Sequence, residues 1–191
     1  MNTKLKILTV DDWEAMPHVD GNRYEIIEGE LFVSRSPGLT HQVVLANLIT
    51  LFVLFLEKNP IGAFLPDVGV ILDKFSAVIP DLVIVLNEQR DRIITNDRLT
   101  GPPALVIEAV SPGSANSRRD RVDKLRLYSK HRVQEYWIVD PGNLTVDQYI
   151  SHGSSLKLSQ TLQSEEQHLS SAAIPGFSCL LSQIFKRFGK R

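Results

Sequence analysis

The sequence contains one cysteine, Cys179, so the chain cannot form an intramolecular disulfide. No Cys and His residues occur at the short, regular spacing of a zinc site. The first ten residues are too polar for the apolar core of a secretory signal peptide. From these absences we expect an intracellular, cytoplasmic protein.

Several common catalytic signatures are also missing. There is no Gly-rich phosphate loop, and no serine stands in a G-x-S-x-G turn. The formal net charge is -1, so the chain as a whole has no electrostatic attraction to nucleic acid. Any contact with phosphates must therefore come from a local cluster of basic residues.

The composition is that of a globular protein, and 191 residues fit a single domain spanning 1–191. The most apolar segment, 43–56, is interrupted only by Asn47 and Thr50, and Thr40 is its predicted helix N-cap. It is shorter than the ~20 residues that a bilayer crossing needs, so we predict no membrane span. A helix apolar on nearly all sides is expected between layers or against another copy of the chain, which predicts a homodimer or higher homo-oligomer.

Strand-like apolar runs recur along the chain, at 24–34, 61–72, 82–86, 104–110, 135–139, 146–150 and 156–162. A helical segment of about 15 residues separates the runs at 104–110 and 135–139, which predicts a βαβ unit with parallel strands. The first run predicts a hairpin around Gly29, and the last two predict an accessory β-hairpin. We therefore predict an α/β (α+β) fold with a mixed sheet flanked by helices, antiparallel in its first part and parallel later.

Two acids stand inside or directly beside apolar runs that are expected to be buried strands. Glu108 lies inside the apolar run 104–110, where an ionised carboxylate must be paired, hydrogen-bonded or bound to metal. Asp81 stands at the entry of the buried run 82–86. Two carboxylates near the ends of adjacent strands could hold a divalent cation such as Mg²⁺. The alternatives are a strand-entry cap for Asp81 and a buried ion pair for Glu108.

The segment after Glu108 predicts a helix that carries polar groups on one face. Asp120, Lys124 and Tyr128 are spaced at i, i+4 and i+8. The stretch 118–132 contains seven basic residues and two acids, which could contact phosphates or form a solvated helix face. A lysine near a metal site could stabilise a phosphate or an attacking water, and the matching reaction is phosphodiester hydrolysis. Lys124 as an ordinary solvated residue is the alternative.

These motifs together resemble a known family. They are RYEIIEGEL at 23–31, His41-Gln42, Pro80-Asp81, EAVSP at 108–112, Asp120 with Lys124 and Tyr128, and EYWIVDP at 135–141. Over nearly the whole chain, the order of these motifs is similar to that of the Uma-two-type endonucleases, a bacterial family within the PD-(D/E)XK restriction-endonuclease-like superfamily.

The resemblance implies a restriction-endonuclease-like core in which Asp81 and Glu108 ligate Mg²⁺ or Mn²⁺. By the same analogy the carbonyl of Ala109 adds a metal ligand. The superfamily has a lysine two residues after the Glu, where this sequence has Val110. In the family that the chain resembles, a lysine on the following helix takes that role, which corresponds to Lys124.

The resemblance also implies that His41 and Glu30 are supporting residues near the site. The resulting hypothesis is a metal-dependent endonuclease that cleaves DNA, with Asp81, Glu108 and Lys124 as catalytic residues. A non-catalytic DNA-binding or homo-oligomeric interaction protein of the same fold is the alternative.

Overall fold

The computed structural model describes residues 7–17, 19–111 and 118–186. The helices are α1 (Val10–Glu14), α2 (Leu39–Lys58), α3 (Arg90–Ile93), α4 (Leu125–Lys130) and α5 (Leu181–Ile184), with a 3-10 turn at Asn87–Gln89 and a π-helical turn at Arg119–Lys124. The strands are β1 (Asn22–Ile27), β2 (Glu30–Arg35), β3 (Gly62–Pro66), β4 (Val70–Asp73), β5 (Ser76–Val78), β6 (Leu82–Leu86), β7 (Ile94–Thr95), β8 (Arg98–Leu99), β9 (Leu105–Ala109), β10 (Glu135–Asp140), β11 (Thr145–His152), β12 (Ser155–Leu162), β13 (His168–Ser170) and β14 (Ser178–Leu180).

One of the two large sheets, called the central sheet below, is mixed and has six strands in the order β12-β11-β10-β9-β6-β3. Strands β9 and β10 are parallel, and Glu108 of β9 is opposite Ile138 of β10. The other neighbours in this sheet are antiparallel. The predicted βαβ unit is therefore confirmed. Because it is central in the sheet, β9 is covered on both faces and all five of its residues are buried.

The first strands form a second six-stranded sheet, with the order β2-β1-β5-β4-β8-β7. The mixed character that we predicted is confirmed, and the strands are divided between two large sheets. The hairpin around Gly29 is confirmed, and Gly29 takes a φ of 85° that suits glycine in the turn. The hairpin predicted as accessory is β11 and β12, which extend the central sheet because β11 pairs with β10 along the strand.

Two apolar clusters cover the two faces of the central sheet, as side-chain alternation along β6 requires. Leu82 and Ile84 pack in the cluster that includes α2, whereas Val83 and Val85 face the cluster with the second sheet and α4. Glu108 has the same parity as Val106, so its side chain lies on the face towards α4.

Helix α2 is longer than the sequence indicated. Its N-cap is Gly38 rather than Thr40, because Gly38 has an extended backbone and its carbonyl accepts from the N–H of Gln42 at 3.2 Å. By length and composition alone this helix could cross a bilayer. It is instead packed on the central sheet through one side, with Leu48 and Phe52 fully buried.

Another buried carboxylate, that of Glu135, lies at the start of β10. Its Oε1 accepts from Trp137 Nε1 at 2.6 Å and from Gln148 Nε2 at 2.5 Å. Its Oε2 accepts from Ser171 Oγ at 2.6 Å and from the N–H of Ala173 at 2.8 Å. Four neutral donors thus satisfy this carboxylate, which meets the requirement that a buried charge be hydrogen-bonded.

Two predicted segments fall partly or wholly beyond the described residues. The sequence Ser-Pro-Gly-Ser at 111–114 predicts a break after β9, and only Ser111 of this segment lies within the described residues. The C-terminal helix expected over 180–188 is described only to residue 186, and there it is the short helix α5.

Candidate active site

Asp81 and Glu108 lie next to each other at the ends of two neighbouring strands. Strands β6 and β9 are antiparallel, and Leu82 is opposite Ile107, so one further step places Asp81 beside Glu108. The N–H of Ala109 donates to Asp81 Oδ2 at 2.8 Å, which fixes the carboxylate at the strand end. Both acids are 3% exposed, and both line one cavity. The proximity that the sequence predicted is therefore present.

The side chains of Arg23 and His41, which come from different parts of the chain, contact the carboxylate of Asp81. Arg23 of β1 donates from Nη1 to Oδ1 at 2.9 Å, and His41 of α2 has its Nε2 3.0 Å from Oδ2. Burial by itself raises the pKa of Asp81, but the hydrogen bond and charge of His41 and the charge of Arg23 outweigh it. The pKa of Asp81 is thereby lowered to about 2, so the carboxylate is ionised.

Glu108 is held by the helix that follows it. Its Oε1 accepts from Lys124 Nζ at 2.7 Å and from the hydroxyl of Tyr128 at 3.0 Å. Burial, together with the charges of Asp81 and Asp120, raises the pKa of Glu108, and the positive charge of Lys124 opposes this rise. The buried ion pair considered for Glu108 is therefore present, and its partner is the predicted catalytic lysine.

Lys124 is buried, so its alternative interpretation as a solvated residue is wrong. Burial by itself lowers the pKa of Lys124, but Glu108 and Glu25 outweigh this effect and raise it above its ordinary value. Lys124 therefore keeps its proton between two carboxylates.

Asp120, Lys124 and Tyr128 are all buried, although the first part of the segment that carries them is not an α-helix. The segment Arg119–Lys124 forms a π-helical turn that continues into α4. Lys124 Nζ lies 4.0 Å from Asp120 Oδ1 across this turn. The hydroxyl of Tyr136 donates to the carbonyl of Asp120 at 3.0 Å, which ties the turn to β10. Single π-turns of this kind occur often at functional sites.

Glu25 is a site residue that the sequence reasoning missed. Its Oε1 lies 2.8 Å from Lys124 Nζ and accepts from the N–H of Ile79 at 2.8 Å. Its Oε2 has no hydrogen-bond partner in the described part of the chain, and Arg119 Nη1 is 3.7 Å away. The signal was present, since Glu25 stands between Tyr24 and Ile26 in a strand, as Glu108 stands between apolar neighbours in β9.

Glu30 is not brought to this cluster. It lies at the start of β2, exposed, opposite Ile27 in the hairpin. It is not among the residues that line the cavity beside Asp81 and Glu108. The structure places Glu25 rather than Glu30 at the site, because Glu25 is in the middle of β1 and faces Lys124.

The basic stretch 118–132 is largely occupied by acids of the chain. Arg126 and Lys130 are bound to Glu28 at 2.9 and 3.2 Å, and Arg121 pairs with Asp140. The stretch therefore does not form a uniformly solvated basic face. Arg119 differs from these residues, since it lines the cavity itself.

The cavity has a volume of about 230 Å³ and is polar. Its lining comprises Arg23, Ser34, Arg35, Ser36, Pro37, Gly38, His41, Asp81, Glu108, Ala109, Ser111, Arg119 and Asp120. Asp81 and Glu108 offer the hard oxygen donors that Mg²⁺ and Mn²⁺ prefer. Among the described residues no group of three or more His, Cys, Asp and Glu side chains is placed to hold a metal ion. Mg²⁺ commonly takes one or two carboxylates and completes its coordination with water and phosphate oxygens.

Comparison with known proteins shows the family and the fold of the chain. A family model described as "Uma2: Putative restriction endonuclease" matches residues 10–182. The chain is similar to the crystal structure of "a putative nuclease" from Anabaena variabilis ATCC 29413, with a TM-score of 0.74 and 16% sequence identity over 93% of this chain and 97% of that one. It also matches the type IIG restriction endonuclease BpuSI, with a TM-score of 0.40 and 15% identity over 76% of this chain and 15% of that one. A search of curated proteins gave no match. The Anabaena structure shows that the fold is shared.

Proposed function

Because the chain belongs to the Uma2 family of restriction-endonuclease-like proteins, we propose that it is a metal-dependent endonuclease that hydrolyses phosphodiester bonds of DNA. One observation carries the proposal. Asp81 and Glu108 line the same cavity, and Lys124 Nζ is 2.7 Å from Glu108 Oε1.

Asp81 and Glu108 are the residues that would hold Mg²⁺ or Mn²⁺, with the carbonyl of Ala109 as the third predicted ligand. When bound, such a metal offsets negative charge on the phosphate and lowers the pKa of a bound water. The protein's own contribution is to keep both carboxylates fixed, through the N–H of Ala109 at Asp81 and the hydroxyl of Tyr128 at Glu108.

Arg23 and Arg119 line the cavity where a phosphate would bind, and Lys124 does not line it but lies buried beside Glu108. Lys124 stays protonated beside Glu108, so its charge can offset the charge that develops on the phosphate during hydrolysis. Arg119 lines the cavity, and its Nε is 3.4 Å from Asp120 Oδ1, which makes Asp120 a supporting residue that orients the guanidinium. Arginine suits this role because its planar donors match phosphate oxygens.

A non-catalytic DNA-binding or homo-oligomeric protein of the same fold is the second candidate. The observation that favours it is that each carboxylate already has cationic partners. Arg23 and His41 bind Asp81, and Lys124 binds Glu108. A metal would have to compete with Arg23 for Asp81, and in a purely structural site it would not succeed.

The two candidates differ in a direct assay of the wild-type protein. We expect cleavage of at least one DNA among linear, branched and single-stranded substrates when Mg²⁺ or Mn²⁺ is present. A chelator should stop the reaction, and Glu108→Gln should show the same loss at saturating metal. If no substrate in the panel is cut with either metal, the non-catalytic candidate is favoured.

We further propose that the protein is a homodimer formed through α2. Leu39 and Leu54 on this helix are 71% and 54% exposed, which leaves apolar surface for a second copy. Light scattering should give twice the chain mass of 21.4 kDa, and Leu54→Glu should shift the population towards monomer. A monomeric mass for the wild type at high protein concentration contradicts this proposal.

A further inference from the structure

A second cavity lies outside the carboxylate site and takes no part in the chemistry proposed above. It has a volume of about 280 Å³ and is lined by α1, by the start of β4 and by the β7–β8 hairpin. Cavities that hold drug-sized ligands usually measure about 300–1,000 Å³. This cavity is at the lower limit of that range and therefore suits a ligand of one small ring system.

One wall of the second cavity is the indole ring of Trp13. The helix that carries it begins with a capping box, in which Thr9 Oγ1 accepts from the N–H of Asp12 at 3.2 Å. The indole Nε1 donates to the carbonyl of Tyr24 in β1 at 2.8 Å. The ring is half-buried, so its orientation is fixed while part of it faces the cavity. A fixed and accessible aromatic ring is a surface on which another planar ring can stack.

Gly69 keeps the space beside this ring open. A Cβ at Gly69 would lie 3.7 Å from Trp13 Cη2 and, apart from its chain neighbours, would meet no other described atom within 4 Å. The φ of Gly69 is not in the left-handed region, so its backbone conformation does not require glycine. What glycine provides at this position is therefore room beside the indole.

The charged groups of the second cavity indicate the class of ligand. Glu14 and Asp97 line it, and Arg98 is paired with Glu14. Two carboxylates with one guanidinium that is already paired do not suit a phosphate, whose binding requires unpaired positive charge. The carboxylates can instead accept from the exocyclic amino group of a nucleobase, and the guanidinium can donate to its ring nitrogens and carbonyl oxygens. A neutral, planar base matches both the indole and these polar groups.

The ion pair between Arg23 and Asp67 connects the second cavity to the candidate active site. Arg23 lines the active-site cavity and contacts Asp67 through its guanidinium. Val68, which follows Asp67 in the chain, lines the second cavity. Trp13 is bound to Tyr24, which follows Arg23. Because consecutive Cα atoms are about 3.8 Å apart, two walls of the second cavity begin one residue from this ion pair, within reach of a strand bound at the active site.

We propose that the second cavity is a nucleobase subsite, in which one unpaired base of the substrate strand stacks on Trp13 beside Gly69. This proposal rests on the proposed nuclease function, and it goes further by assigning a strand-binding role to a site outside the carboxylate pair. A base must leave its duplex stack to enter the cavity, which costs free energy. The preferred substrate is therefore single-stranded DNA or DNA with unpaired bases.

Substitutions of Gly69 test the subsite through binding measured without divalent metal. Gly69→Leu fills the space beside Trp13, and Gly69→Ala, which adds only a Cβ at an ordinary contact distance, is the matched control. We expect Gly69→Leu to weaken binding of a single-stranded oligonucleotide about tenfold, because base stacking is lost, and Gly69→Ala to bind as the wild type does. An oligonucleotide of equal length with stable abasic sites in place of its bases should bind all three proteins equally. Melting temperatures establish that both variants are folded.

Tryptophan fluorescence of the wild type is a second measurement, which needs no change at Gly69. The chain has two tryptophans, and the other one, Trp137, is fully buried. A base stacked on Trp13 quenches its emission, so the single-stranded oligonucleotide should lower the signal and the abasic one should not. The substitution Trp13→Phe should abolish this response.

Three results would overturn the proposal. The first is equal oligonucleotide binding by folded Gly69→Leu and Gly69→Ala proteins, and the second is equal weakening of the abasic oligonucleotide in Gly69→Leu. The third is a wild-type fluorescence signal that the oligonucleotide does not lower. Cleavage is assayed separately with metal. A base-dependent binding loss in Gly69→Leu supports the subsite even if no DNA is cut, and in that case only the nuclease function fails.

Discussion

The substitution Asp81→Asn is expected to lower metal-dependent DNA cleavage by about a thousandfold or more while the protein remains folded. Asparagine has the shape of aspartate and can still accept from the N–H of Ala109, so the end of β6 keeps its geometry. It brings no negative charge to a divalent cation, however, and it leaves Arg23 without its buried carboxylate. The loss should therefore fall on metal binding and on catalysis together.

The measurement has two parts, initial cleavage rates at saturating Mn²⁺ and the change in melting temperature on adding Mn²⁺. A ligand that binds the folded state raises the melting temperature, so the wild type should shift and Asp81→Asn should not. Asp67→Asn is a matched control, because Asp67 also binds Arg23 but is half-exposed and does not line the cavity. Equal cleavage rates for the wild type and Asp81→Asn would falsify the catalytic assignment.

The second large effect is expected from Lys124→Met, in the stability of the fold itself. Lys124 lies between Glu25 and Glu108 at 2.8 and 2.7 Å, and all three side chains are buried. Removing the cation leaves two buried carboxylates without their charged partner, which typically costs about 3–5 kcal/mol. We expect the free energy of unfolding in urea, measured near neutral pH with a chelator present, to fall by this amount.

Two comparison variants make this result specific. Adding Glu25→Gln to Lys124→Met removes one of the carboxylates and should restore part of the lost stability. Arg126→Met removes an ion pair with Glu28 whose cation is 62% exposed, and such surface pairs contribute about 0–1 kcal/mol. The deficit of Lys124→Met should also shrink as the pH falls, because protonated carboxyls no longer need a cation. If the Lys124→Met protein is as stable as Arg126→Met, the result contradicts a stabilising role for the buried ion pairs of Lys124 with Glu25 and Glu108.

The sequence is informative where a single residue conflicts with its neighbours. Glu108 was predicted as a site residue because a carboxylate inside an apolar strand needs a partner, whereas Lys124 was assigned to it through the resemblance to the family. Strand β9 and its parallel neighbour β10 followed from apolar runs separated by a helix. These inferences depend on residues close in sequence or on the burial of one strand.

The partners from other elements could not be derived in this way. Arg23, Glu25 and His41 reach the site from β1 and from α2, and their distance along the chain from Asp81 and Lys124 leaves no local pattern. The N-cap was assigned to Thr40 because threonine is a preferred cap, whereas the chain uses Gly38, which has no capping side chain. The second sheet was missed because β1 joins β5 through a short pairing, Ile26 with Ala77, that alternation alone cannot reveal.

The carboxylate of Glu135 makes the last part of the chain indispensable to the sheet. Half of its four donors, Ser171 Oγ and the N–H of Ala173, come from the segment after β13. A chain ending before Ser171 would retain Asp81, Glu108 and Lys124 but would leave one oxygen of a fully enclosed acid without donors, beside Trp137 in the core. The minimal folding unit is therefore longer than the part of the chain that carries Asp81, Glu108 and Lys124. Shortened versions of this protein must keep residues 171–173 for β10 to stay in place.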